Sequence, residues 1–273
     1  MICEGKLMGR LLGVALLALL LVACGRNQEK IVITGSSTMA PVISEVAQRY
    51  EEERGVQVDV QSGGTGRAIS DVRQGLASIG MASRTLHADE SDLTAFTVAQ
   101  DGIAVIVHRD NPVAALSDDQ VRAIYRGEVD NWSHLGGDDQ AITVVNKAEG
   151  RSTLELFLEY FQLDNRAVRA DVVIGENQQG IKAVAGDPAA IGYVSIGSAE
   201  YEAEAGTPIR LLPLRGVAAS TDTVNQKRYP LRRELNLITA GVPGDAQRAF
   251  IDFAASPAAA DLYRDHYFVP AAR

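Results

Sequence analysis

The chain has 273 residues, 46% of them hydrophobic, enough to bury one large core or two modest ones. Its 26 basic and 35 acidic residues give a formal charge of −9, which argues against a nucleic-acid binder with a basic face. The only cysteines are Cys3 and Cys24, so the chain beyond residue 24 must be held by packing rather than by disulfides.

Lys6 and Arg10 form a basic start, and residues 11–21 form an apolar run too short for a membrane span of about 20 residues. Leu21-Val22-Ala23-Cys24 then closes the segment with small residues, so 1–23 read as a secretory signal. Translation from Met8 would lose Lys6 but keep Arg10 and the apolar run. The Leu-Val-Ala-Cys ending resembles the lipobox of bacterial lipoproteins. That resemblance implies cleavage before Cys24, a lipid on Cys24, and a polar tether over 24–30. Cleavage removes Lys6, Arg10 and Glu4, leaving 24 basic and 34 acidic residues, a balance of −10. An anion site in such a chain has to be built locally, from backbone dipoles and a few placed cations.

The exported part opens with a strand at 31–33, followed by Thr34-Gly35-Ser36-Ser37-Thr38-Met39-Ala40-Pro41. A helix over 41–54 then puts Val42, Ile43, Val46, Ala47 and Tyr50 on one face, with Gly55 as its stop. Val56, Val58 and Val60 alternate as a second strand, and Ser62-Gly63-Gly64-Thr65-Gly66 is the turn after it. A helix with Ile69, Val72 and Leu76 inward leads to a third strand, 77–83, ending at Ser83-Arg84. This β-α-β-α-β order predicts a parallel sheet. It sets three hydroxyl-bearing turns at the strand ends where α/β sheets bind ligands. Helix N-termini supply free N–H groups and a positive dipole end there, which suits an oxyanion. The first turn alone reads equally well as an ordinary Ser/Thr helix cap.

An apolar strand over 102–109 reads as a crossing into a second lobe. That lobe has a helix at 118–125, an Asn131-Trp132 turn and a strand at 142–145. Lys147-Ala148-Glu149-Gly150-Arg151-Ser152-Thr153 then enters a helix with Leu154, Phe157, Leu158 and Phe161 on one face. Ile181, Val184 and Ala185 mark another helix, and 190–196 another strand. Residues 209–214 read as the crossing back. They are followed by a strand at 231–239, a helix at 245–255 with Ala246, Ala249, Phe250 and Phe253 inward, and a closing helix over 257–266. The division expected is 31–108 with 215–273 for the first lobe and 109–214 for the second, a layout suited to hinge closure around a ligand.

Several ordered stretches resemble one family. They are Gly35 to Pro41, Ser62 to Gly66, Ala82-Ser83-Arg84, Glu149 to Thr153, Ala190-Ile191-Gly192-Tyr193-Val194 and Tyr229-Pro230-Leu231-x-Arg233. Phe250-Ile251-Asp252-Phe253 and Tyr267-Phe268-Val269-Pro270 complete the set. The chain resembles the phosphate-binding lipoproteins that feed ABC phosphate importers. The resemblance implies an α/β, two-lobed type II periplasmic-binding-protein fold with two crossing strands as the hinge. It implies inorganic phosphate as the ligand, an ABC permease and its ATPase as partners, a monomer held to a bacterial membrane through Cys24, and no cofactor. The site residues it implies are Ser37, Thr38, Ser62, Gly64, Thr65, Ser83 and Arg84 from one lobe. From the other come Lys147, Gly150, Arg151, Ser152 and Thr153.

Three departures bear on selectivity. Arg84 follows Ser83 where well-studied members place an aspartate that accepts a proton from phosphate, and Lys147 stands where an arginine is usual. Arg151-Ser152 replaces part of a Gly-Ser-Gly-Thr loop, so the cation of this loop moves to Arg151, with its planar fork. Arg84 reads equally as a ligand or as an ion-pair partner that steadies the hinge. Ser36 reads as a turn cap, Trp132 as a core residue, and the four histidines as structural or surface groups without metal spacing. A serine hydrolase or nucleotide phosphate loop lacks its motif here. A receptor for sulfate, molybdate or tungstate, or a sensor without a transporter, remains the alternative.

Overall fold

The computed structural model describes residues 30–271. The signal, Cys24 and most of the tether therefore lie outside the described residues.

Alternating apolar positions become β1 (Ile31–Gly35), β2 (Val58–Ser62) and β3 (Ile79–Ala82). Both β2 and β3 run parallel to β1, as the β-α-β-α-β pattern requires. Between them lie α1 (Ala40–Arg54), which buries Val42, Ile43, Val46, Ala47 and Tyr50, and α2 (Thr65–Arg73). Gly55 ends α1 in the left-handed conformation, at φ 68°. Leu76, expected inward, lies beyond the end of α2 and is 63% exposed, because the helix stops at Arg73.

The next strand, β4 (Leu93–His108), is 16 residues long, about twice the stretch expected, because its first half is too mixed in polarity to read as a strand. It pairs antiparallel with β9 (Arg232–Ala240) from Leu93 to Gly102. It then continues antiparallel to β7 (Ala190–Ser195) and β8 (Ile209–Leu211). A register shift at Thr97/Ala99 bends it. This one strand therefore belongs to both sheets. The first lobe's sheet runs β2-β1-β3-β9-β4, and the second continues through β7 to β5 (Thr143–Lys147) and β6 (Val172–Ile174).

The second lobe also carries α3 (Asp118–Tyr125), α4 (Ser152–Phe161), α5 (Asn177–Ala185) and α6 (Ile196–Glu204). The return path holds α7 (Thr221–Asn225), and the chain closes with α8 (Asp245–Ala254), α9 (Ala260–Asp265) and β10 (Val269–Pro270). Helix α8 buries Phe250, Ile251, Phe253 and Ala254, while Ala249, expected inward, faces solvent.

Two main cores result. Ile33, Ile43, Val46, Met81, Leu237 and Phe250 belong to the first. Ile106, Tyr125, Trp132, Phe157 and Tyr193 belong to the second, with Phe157 and Tyr193 stacked at 3.7 Å. Each such side chain contributes about 1.5–3 kcal/mol when fully buried. Trp132 is a core residue whose Nε1–H donates to the Ala189 carbonyl at 2.8 Å. Val224, Tyr229 and Leu231 pack into the second core, although the sequence places residues after 214 with the first lobe. The return crossing thus begins as strand β8, at Ile209–Leu211, and reaches β9 through a well-packed segment that holds α7.

Candidate functional site

Three hydroxyl-rich turns converge with the N-terminus of α4 where the lobes meet. Ser36 Oγ donates to Ser83 Oγ at 2.9 Å, and Ser83 Oγ lies 2.5 Å from Ser152 Oγ. Thr65 Oγ1 donates to Ser152 Oγ at 3.2 Å and accepts the Ser83 N–H at 3.2 Å. Ser36, Thr38, Thr65, Ser83, Ser152 and Thr153 are all buried. Helices α1, α2 and α4 have no side-chain cap, whereas Ser117 and Ser220 cap α3 and α7. The hydroxyls at these three N-termini are spent on one another, on Arg233 and on Asn177 instead of on capping. This separates the turns from ordinary helix caps.

Arg233 of β9 sits at the centre. Its Nη1 donates to Thr153 Oγ1 at 2.9 Å and to Ser83 Oγ at 3.4 Å, and its Nη2 donates to Thr38 Oγ1 at 3.0 Å. Nε and Nη2 both donate to Asp101 Oδ2, at 3.0 and 2.8 Å. The Arg233 and Asp101 side chains are 1% and 0% exposed. Asp101 Oδ1 accepts the Gly197 N–H at 3.2 Å, so both carboxylate oxygens are used. Opposite Arg233, Lys147 at the end of β5 donates from Nζ to Asn177 Oδ1 at 2.8 Å, and Asn177 Nδ2 donates to Thr38 Oγ1 at 3.0 Å. Burial pulls the Lys147 ammonium down to about 7, the charges of Arg233 and Arg151 add to this, and Glu176 opposes it.

The lobes are also joined by backbone. Gly66 N–H donates to the Gly150 carbonyl at 3.1 Å. Gly64, at φ +92°, leaves room for this: a Cβ there would stand 2.7 Å from the Gly150 oxygen and 2.9 Å from Arg151 Cδ. Its own N–H donates to the Gly35 carbonyl at 2.8 Å, so Gly64 acts through close approach and not as a donor to an anion.

The expected residues are distributed unevenly. Thr38, Thr65, Ser83, Lys147, Ser152 and Thr153 are brought together. Ser37 is half-buried and takes no part in the cluster's hydrogen bonds, and Ser36 occupies that role, because β1 ends two residues later than the apolar run. Ser62 is exposed at the mouth, where its hydroxyl donates to Glu176 Oε2 at 3.0 Å. Arg151 donates to the other oxygen of Glu176 at 2.9 Å.

Arg84 is turned away from the cluster. Its guanidinium donates to both oxygens of Glu90 at 2.8 Å, to Glu155 across the cleft at 2.7 Å, and to the Thr85 carbonyl. Burial works against its charge, but Glu90 and Glu155 outweigh that and raise its pKa. Of the two readings open for Arg84, its contacts match the ion-pair partner between the lobes.

Arg233, Asp101, Asn177, Ser36 and Glu176 were not among the expected site residues. Arg233 did carry a signal, as the last residue of the Tyr-Pro-Leu-x-Arg match. Asp101 carried a weaker one, as an acid directly before the apolar run at 102–109.

A buried donor cluster closed between two α/β lobes that share a long strand defines a two-lobed solute-binding protein. A family model described as the PBP superfamily domain matches residues 23–258. The Phosphate-binding protein PstS of Bacillus subtilis is 30% identical over 227 residues, which are 81% of this chain and 73% of that protein. The chain belongs to this PstS-type phosphate-binding family of the superfamily. A phosphate ABC transporter substrate-binding protein from Clostridium perfringens, solved with bound phosphate, superposes with a TM-score of 0.82 at 27% identity. That match covers 89% of this chain and all of that one. An ABC-type phosphate transport receptor from Vibrio cholerae gives 0.73 at 29% identity, covering 88% and 99% of the two chains.

Proposed function

We propose that the chain is an extracytoplasmic receptor that captures inorganic phosphate between its lobes and delivers it to an ABC permease and its ATPase. It acts by binding, without turnover, as a monomer lipid-anchored through Cys24. The observation that carries this reading is the cluster around Arg233: six buried hydroxyl residues from both lobes, one buried arginine and one buried lysine. A micromolar affinity corresponds to about −8 kcal/mol. Charged hydrogen bonds contribute about 1.5–3 kcal/mol each, so a few of them beside neutral donors offset the desolvation of the anion. We place Ser36, Thr38, Thr65, Ser83, Ser152, Thr153, Lys147 and Arg233 on the anion, with Arg151, Ser62 and Glu176 at the mouth.

A second reading, a broader oxyanion receptor, has one observation in its favour. The carboxylates nearest the cluster, Asp101 and Glu176, are already engaged, the first by Arg233 and Gly197, the second by Arg151 and Ser62. Every oxygen of the two carboxylates already accepts a hydrogen bond from the protein, so neither is held open for a proton of phosphate by which sulfate would be rejected. Calorimetry and thermal shift with phosphate, arsenate, sulfate, molybdate and methylphosphonate test both readings, since a ligand that binds only the folded state raises its stability. Phosphate should bind tightest and sulfate should compete measurably. Absence of phosphate binding overturns the first reading, and complete indifference to excess sulfate overturns the second.

A further inference from the structure

Among the described residues, the buried Lys147 amine has no carboxylate partner. Its side chain is packed at the end of β5, and the acceptor of its ammonium is the neutral Asn177 Oδ1 at 2.8 Å. The ionisable groups facing it come from four elements. Arg233 stands on β9, Arg151 precedes α4, and Glu176 caps α5 but is committed to Arg151 and Ser62. Tyr193 of β7 lies behind, donating to Asn146 Oδ1 at 2.5 Å, and burial raises its pKa, so it stays neutral near pH 7. Asp101 and Glu176 are each already paired with an arginine, Arg233 and Arg151. The Lys147 charge is then the surplus one, in a place where charge is costly.

We propose that Lys147 is a proton-loading residue of the anion site: the neutral amine takes up one proton from solvent as the oxyanion is captured, and the resulting ammonium becomes its counter-charge. This rests on the phosphate reading above and assigns Lys147 a duty that an arginine in its place would not perform. Arginine stays charged at every relevant pH, while a buried lysine can shed its proton. At pH 8 the balance is one HPO4 dianion, one amine and one proton giving one ammonium–dianion complex, with no other co-reactant. The coupling makes capture depend on pH. Below the free-site value of about 7 the amine is already charged and affinity is full. Above it, each pH unit costs up to tenfold until the value in the complex is reached.

The test is calorimetry with inorganic phosphate at pH 8 in two buffers of different ionisation enthalpy, followed by dissociation constants from pH 7 to 9. Wild type should take up about one proton at pH 8. Its affinity should fall about fifty-fold between pH 7 and 9 relative to Lys147→Arg, which carries the same titration of phosphate itself. Zero uptake or proton release by wild type overturns the inference without any variant. Equal pH profiles for wild type and Lys147→Arg also overturn it. If Lys147→Arg does not fold, Lys147→Met replaces it: loss of the proton uptake supports the assignment, and unchanged uptake places the proton on another group and refutes it. Failure of wild type to bind phosphate at pH 7 counts against the phosphate reading instead.

Discussion

Asp101→Asn separates the structural duty of the buried hub from its electrostatic one. Asp101 Oδ2 accepts two bonds from Arg233 and Oδ1 accepts one from Gly197 N–H. An asparagine that keeps its oxygen toward Arg233 must turn its NH2 toward the Gly197 donor, and the opposite rotamer turns it toward the guanidinium. Either choice sets donor against donor and leaves a guanidinium 1% exposed without its counter-charge. Breaking one side of a buried ion pair costs about 3–5 kcal/mol. At about 2–4 °C per kcal/mol for a chain of this size, Tm should fall by roughly 6–20 °C. Removing a negative charge beside the cluster acts in the opposite direction on an anion. The variant should bind phosphate at least as tightly as wild type, and the Tm rise on adding phosphate should be larger. Paired thermal melts with and without phosphate, supported by calorimetry, measure both. Unchanged melting without ligand would refute the assigned geometry of the pair. Weaker phosphate binding in a folded variant would refute the placing of Arg233 on the anion.

Two further outcomes follow from the cleft. Gly64→Ala adds a Cβ 2.7 Å from the Gly150 oxygen at a φ of +92°, so the lobes cannot approach. A strain of about 1–3 kcal/mol is expected, with phosphate affinity lowered at least tenfold and a larger radius of gyration by X-ray scattering in the presence of phosphate; wild-type affinity would refute it. The second concerns Arg84, whose hydrogen bonds, with help from the His87 N–H and against burial, hold the Glu90 carboxyl below its usual range. That contribution is complete above the unfolded value near 4.5 and is lost as pH falls through the lower folded value. Arg84→Met should cost about 3 kcal/mol at pH 7, the low end for a buried pair, and should flatten the acid limb of denaturant-measured stability. An acid limb identical to wild type would show that Glu90 draws its shift from elsewhere.

Local pattern determined much of this protein. The periods of the apolar residues specify β1, α1, β2, α2 and β3 and, Leu76 apart, the inward faces of the two helices, because side chains repeat every two residues in a strand and every 3.6 in a helix. Gly, Ser and Thr clusters at the strand ends locate three of the turns that build the site, and Lys147 to Thr153 the fourth. Tertiary structure decided what each polar side chain does there. Whether Ser36 or Ser37 faces the cleft depends on a strand end shifted by a residue or two, which no period resolves. Arg84 and Arg233 are both arginines beside serine-rich turns, yet one is claimed by Glu90 and Glu155 and the other by the hydroxyl cluster. The hub itself joins residues 132 positions apart in sequence. Its existence depends on β4 and β9 lying side by side, and a sheet pairing between distant strands leaves no local trace in either.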